Sequence, residues 1–109
     1  NMLCIVKNND VRESFLQAMT QALDEKHIRY TIVDNTSEKG CEWEATYTAN
    51  WSWDLALYMA YARITIYKND SLDGQAVYDA RSGSGNMGKF IDAESKIREL
   101  LDELIKTKE

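Results

Sequence analysis

The stretch Trp43-Glu44-Ala45-Thr46-Tyr47-Thr48-Ala49-Asn50-Trp51-Ser52-Trp53-Asp54 decides the fold. Its odd positions, Trp43, Ala45, Tyr47, Ala49, Trp51 and Trp53, are aromatic or small and apolar, whereas Glu44, Thr46, Thr48 and Asn50 are polar. A period of two places successive side chains on opposite sides of a strand, so the stretch is a long strand with one aromatic and one polar face. Asp54 is the turn former that closes it, and residues 57–68 resume the alternation, with Ala60, Ala62, Ile64 and Ile66 set against Tyr61, Arg63, Thr65 and Tyr67. Two such runs joined so closely form an antiparallel hairpin.

Working outward, residues 69–74 hold turn formers and residues 75–81 read as a further strand with Ala76, Tyr78 and Ala80 on one side. Upstream, residues 2–7 are a short apolar strand ended by Asn8-Asn9-Asp10, which reads as a helix cap. Phe15, Ala18, Met19, Ala22 and Leu23 then recur at three- and four-residue steps, the apolar stripe of a helix running from Val11 to about Lys26. Ile28, Tyr30 and Ile32 alternate with Arg29 and Thr31, a half-buried strand, before the polar loop 34–40. After a glycine-rich loop at 82–88, residues 89–106 gather Phe90, Ile97, Leu100, Leu101 and Leu104 on one helical side, with Asp92/Lys96, Glu94/Arg98 and Asp102/Lys106 at four-residue spacing outside it.

The order β-α-β-β-β-β-α predicts an α+β two-layer sandwich: a mostly antiparallel sheet of about five strands with two helices on one face. A chain of 109 residues, 44% hydrophobic and 10% aromatic, suits one domain over 1–109 with one packed core. A net charge of -5 and a pI near 4.9 point away from nucleic acid, whose phosphates select clustered basic surfaces. No apolar run approaches the ~20 residues of a membrane span. The opening Asn1-Met2 fits either a start at Met2 or a chain that begins after a removed export signal, so the residues alone leave periplasm and cytoplasm both open.

The candidate sites are modest. Cys4 and Cys41 lack the spacing of a zinc site, so no metal is expected; either they are bridged, if their strands are neighbours, or they are two half-buried thiols. Gly83-Ser84-Gly85-Asn86-Met87-Gly88 matches G-x-G-x-x-G, but no strand follows the helix after it, so no dinucleotide or other cofactor is expected. With Arg81 and Lys89, Gly83 and Gly85 make an alternative reading, a small-ligand or anion-binding loop. His27, the sole histidine, falls at the end of the first helix, where an imidazolium meets the negative end of the dipole. No nucleophile and base are paired by a motif, and the expectation is a non-enzymatic protein.

Two aromatic groups remain. Trp51 and Trp53 share parity with Ala45 and Ala49, which reads as core packing, while their density reads as a recognition platform. Tyr61, Arg63 and Tyr67 fall on the opposite side of the hairpin, the face left bare if both helices cover the other, and that composition is enriched at interfaces.

The blocks Tyr47-Thr-Ala-Asn-Trp-Ser-Trp-Asp-Leu-Ala-Leu-Tyr-Met, Ala76-Val-Tyr-Asp-Ala-Arg81 and Asn86-Met-Gly-Lys-Phe-Ile-Asp-Ala-Glu-Ser-Lys-Ile-Arg-Glu-Leu100 resemble a family of small uncharacterised lipoprotein-like cell-envelope proteins of Gram-negative bacteria. The likeness covers roughly residues 45–104. It implies an exported protein in the periplasm or at the outer membrane, with a lipid anchor outside these residues, and an oxidising compartment that favours a Cys4–Cys41 bridge. The resulting expectation is a structural or protein-interaction module whose partner is another envelope protein or a second copy of itself.

Overall fold

The computed structural model describes residues 2–34, 41–80 and 92–106. The elements run β1 (Leu3–Val6), α1 (Glu13–Glu25), β2 (Tyr30–Val33), β3 (Trp43–Asp54), β4 (Ala56–Lys68), β5 (Ser71–Asp79) and α2 (Ala93–Lys106). They form the expected α+β two-layer sandwich, with five strands in the order β2-β1-β3-β4-β5. The sheet is mixed: β1 lies parallel to both β2 and β3, while β3–β4 and β4–β5 are antiparallel hairpins.

Period-two alternation builds the buried face. Ile5, Ala45, Tyr47, Ala49, Met59, Ala62, Ile64, Ile66 and Ala76 point at one layer, where they meet Phe15, Met19 and Leu23 of α1 and Ile97, Leu101 and Leu104 of α2. Phe15 stacks on Tyr47 with ring centroids 5.2 Å apart, and the edge of Trp51 completes the group at 6.4 Å. The helices are tied to each other by Arg98 with Glu25 at 3.3 Å and by Lys26 with Asp102. Of the spacing-based pairs, Glu94–Arg98 forms at 3.6 Å, but Lys96 turns to Glu99 at 2.8 Å and stands over the Tyr78 ring. Glu99 and the Tyr78 ring on β5 draw Lys96 away from its i,i+4 neighbour Asp92, a choice that helical spacing alone does not anticipate.

Several boundaries differ from the sequence expectation for local reasons. Asn8 is no helix cap: its side-chain oxygen accepts the Asp10 N–H at 3.0 Å, and its amide donates to the Tyr47 carbonyl at 3.0 Å. The Asn8 backbone N–H reaches the Tyr47 hydroxyl, also at 3.0 Å, so the residue clamps the β1–α1 connection onto β3. Helix α1 begins after Arg12, without a side-chain cap. It stops at Glu25, two residues before His27, whose φ of 60° permits the His27 N–H to reach Asp24 O and the Ile28 N–H to reach Leu23 O, the paired bonds of a Schellman stop.

Turn chemistry corrects the hairpins. Asn69 and Asp70 both have positive φ, 51° and 69°, so the β4–β5 turn takes two residues rather than all of 69–74, and β5 starts at Ser71. Tyr61 pairs with Asn50 and Met59 with Trp51, leaving Ala60 as an extra residue in β4. That bulge reverses the parity of the strand beyond it, so Met59, not Ala60, joins the helix-side core.

Element lengths settle what the helices can cover. Strand β3 has 12 residues and β4 has 13, about 40 Å at ~3.3 Å per residue. Helices α1 and α2 have 13 and 14 residues, about 20 Å at ~1.5 Å each. The β3–β4 hairpin therefore overhangs the helical layer, and at its end Trp53 is 73%, Leu55 92% and Leu57 45% exposed. Leu55 at the apex has φ 67°, a left-handed conformation that costs a residue bearing Cβ about 1–2 kcal/mol.

Cys4 and Cys41 are joined in a disulfide with Cα atoms 6.2 Å apart. The bond ties central strand β1 to the residue two before β3, and it takes both thiols out of any nucleophilic chemistry.

Candidate interaction face

Both helices pack on one side of the sheet, so among the described residues no helix covers the other side of β3, β4 and β5. The pairing registers lay its residues out as rows: Asn50–Tyr61–Asp79, Thr48–Arg63–Val77, Thr46–Thr65–Gln75 and Glu44–Tyr67–Leu72. With strands ~4.8 Å apart and same-face residues ~6.7 Å apart along each strand, the grid is about 10 Å wide and 20 Å long. These rows set tyrosines, threonines and amides around one guanidinium, with the carboxylates Asp79 and Glu44 at opposite corners and Val77 and Leu72 on β5.

Tyr61 and Tyr67 are half-buried, Arg63 is exposed, and Val77 and Leu72 add apolar area at the β5 margin. The structure therefore brings Tyr61, Arg63 and Tyr67 together on one face, as neighbours along β4. Among the described residues no ion pair or hydrogen bond engages the Arg63 side chain. An arginine in that state keeps its planar fork of donors available to a carboxylate or a backbone carbonyl.

One end of the face is closed by Glu44, whose neighbours in register are Cys4 on β1 and Tyr67 on β4. Only 9% of Glu44 is exposed. Burial raises its carboxyl pKa, and the nearby Asp70 charge raises it further.

The tryptophans of the candidate platform are separated from this face. Trp51 turns to the helix side, half-buried against Phe15, with the Arg12 guanidinium 5.5 Å from its ring centroid. Trp53 has the same parity but lies on the overhang beyond the helices, which is why its ring is exposed. Leu55 and Leu57, which belong with it, were not singled out from the sequence; the comparison of strand and helix lengths is the signal that finds them. Arg81, Gly83, Gly85 and Lys89 of the glycine-rich loop lie outside the described residues. His27 is exposed at the end of α1 beside Met2, Asp24 and Tyr30, in a shallow groove.

A separate apolar groove of about 280 Å³ opens at the opposite end of the sandwich from the hairpin tip, lined by Leu3, Leu23, Ile28, Trp43, Ile66 and neighbouring leucine and isoleucine side chains of α2. Among the described residues no group of three His, Cys, Asp or Glu side chains is placed to hold a metal ion, and no helix is long and apolar enough to cross a membrane.

No protein-family model matches the chain, and no curated protein matches it. Among solved structures, a minor lipoprotein from Acinetobacter baumannii is similar at a TM-score of 0.35 and 11% identity, over 97% of this chain and 85% of that one. A likeness that shallow carries no argument about fold or function.

Proposed function

We propose that the chain is a non-enzymatic interaction module of the cell envelope, and that the helix-free face of β3–β5 is where it binds a protein partner. The observation that carries the reading is Arg63, exposed and without an ion pair or hydrogen bond among the described residues, standing between Tyr61 and Tyr67 on the sheet side away from both helices. Tyrosine and arginine are the side chains that dominate binding energy at interfaces, because each offers a large contact area and directed donors together. Val77 and Leu72 supply apolar contact beside them. The compartment rests on the resemblance of the tryptophan-rich and α2 blocks to envelope proteins and is supported by the Cys4–Cys41 bond, which persists in oxidising surroundings.

A photo-crosslinking amino acid placed at Val77, in cells that express the chain in their envelope, tests the face directly. The expected result is a discrete adduct from Val77 and none from Gln17, which is exposed on α1. An adduct at twice the chain mass makes the partner a second copy; a different discrete mass makes it another protein. Equal labelling from both positions, or none from either, overturns the reading.

A further inference from the structure

The hairpin overhang is a second surface, distinct in chemistry from the helix-free face. Trp53 and Leu57 are directly paired across β3 and β4, and Leu55 occupies the turn between them, so three apolar side chains from five consecutive residues form one protruding tip. Leu55 is both the most exposed large hydrophobic residue described and a non-glycine in the left-handed region. Glycine would make this turn without strain and without exposing an apolar group, so the leucine side chain is the feature that needs an explanation.

The residues behind the tip narrow the occupant. One strand repeat back from Trp53, about 7 Å, stands Trp51 with the Arg12 guanidinium against its ring. From the apex inward the order is Leu55, the pair Asp54 and Ala56, the pair Trp53 and Leu57, then Trp51 with a cation. The apolar members of that order, leucine outermost, then tryptophan, with a cation behind, follow a bilayer in cross-section: acyl boundary, interfacial aromatic layer, then phosphate. Interfacial elements seat their apolar face about 5–10 Å deep, the depth this tip offers.

A second copy is a poorer fit. A stable protein interface takes about 800 Å² from each partner, whereas three side chains on a convex tip offer on the order of 400 Å². Lipid needs no complementary shape, because it deforms around a wedge.

We propose that the β3–β4 tip, Trp53, Leu55 and Leu57 backed by Arg12 and Trp51, inserts into the interface of a phospholipid bilayer. A net charge of -5 makes apolar insertion, not Coulomb attraction, the driving force. Uncharged phosphatidylcholine vesicles therefore suffice, and added anionic lipid weakens binding. This inference is independent of whatever occupies the helix-free face.

The test is co-sedimentation with phosphatidylcholine vesicles, together with quenching of tryptophan emission by lipids brominated along the acyl chain. Wild type is expected to partition and to be quenched; Trp53→Phe is expected to partition while losing most of the quenching. Leu55→Gly removes the side chain while accepting the backbone conformation, so it keeps the fold and is expected to weaken partitioning by about tenfold or more. Gln21→Ala, exposed on α1, is expected to leave partitioning unchanged. Failure of wild type to partition overturns the proposal, as does equal partitioning of Leu55→Gly. A crosslinker at Leu55 that captures a discrete protein, with no vesicle binding, assigns the tip to a protein pocket instead.

Discussion

Removing the Cys4–Cys41 bond is the sharpest test of the architecture. The bond closes a loop spanning 37 residues in sequence. In the chain-entropy treatment such a closure lowers the entropy of the unfolded chain by about 13 cal/mol/K, worth about 4 kcal/mol at 25 °C. A chain of 109 residues unfolds with an entropy of about 0.23 kcal/mol/K near its midpoint, so the loss corresponds to a fall in Tm of about 17 °C. The assay is thermal unfolding followed by circular dichroism, for native protein, protein reduced with dithiothreitol, and the double variant Cys4→Ala/Cys41→Ala. The double variant is expected to fall slightly further than reduced wild type, because Cys4 is buried and its sulfur contributes packing as well as a cross-link. Two titratable thiols in denatured protein prepared without reductant, or a shift on reduction below about 3 °C, would refute the reasoning.

Leu101, with no exposed surface between the helices and the sheet, is expected to cost about 2–5 kcal/mol when cut to alanine, read as a lower urea midpoint at unchanged m. Tyr47→Phe strips the acceptor from the Asn8 N–H; the expected loss is about 1 kcal/mol, with faster hydrogen exchange at that amide, and unchanged exchange would count against the clamp. Glu44 binds its proton more tightly in the folded chain than in the unfolded one, first through burial and then through Asp70. Its contribution to stability is therefore full below the ordinary carboxyl pKa and is lost as pH rises through the elevated one. Glu44→Gln should gain in Tm over wild type only above that window, and a gain of equal size at pH 3 and pH 8 would dispose of the explanation. Arg98→Ala breaks ion pairs that are partly open to solvent, so its effect should stay below about 1 kcal/mol and shrink in salt, measured by denaturant melts at two ionic strengths.

Much of this fold is legible in residue order, because alternation from Trp43 to Trp53 and from Ala62 to Tyr67 fixes which sheet side each helix must cover. The helix-free placement of Tyr61, Arg63 and Tyr67 follows from the same parity. What escaped depends on events that periodicity does not encode. A single extra residue at Ala60 flips the register near the tip, and the two left-handed residues Asn69 and Asp70 shorten a turn that composition alone makes longer. Asn8 has the residue type of a cap, yet a longer-range partner on Tyr47 claims its side chain. The parallel pairing of β1 with β3 joins segments about forty residues apart, and neither strand's pattern names its neighbour. The exposed tip was within reach: parity assigned Trp53 to the covered side, and only the mismatch between a long hairpin and short helices reveals that the cover runs out.

The position of β1 also bears on how the chain is made. Its four residues are made before those of the other four strands but belong inside the sheet, between β2 and β3. Until residue 45 has been synthesised, β1 lacks one of its two partners, whereas β3, β4 and β5 close on one another through short turns as soon as they appear. Vectorial synthesis therefore leaves the first strand waiting for its slot, with its backbone unpaired on at least one side. A pairing partner that reached that strand early would compete directly with the native sheet, so the interval between residues 6 and 45 is when this chain is most open to misassembly.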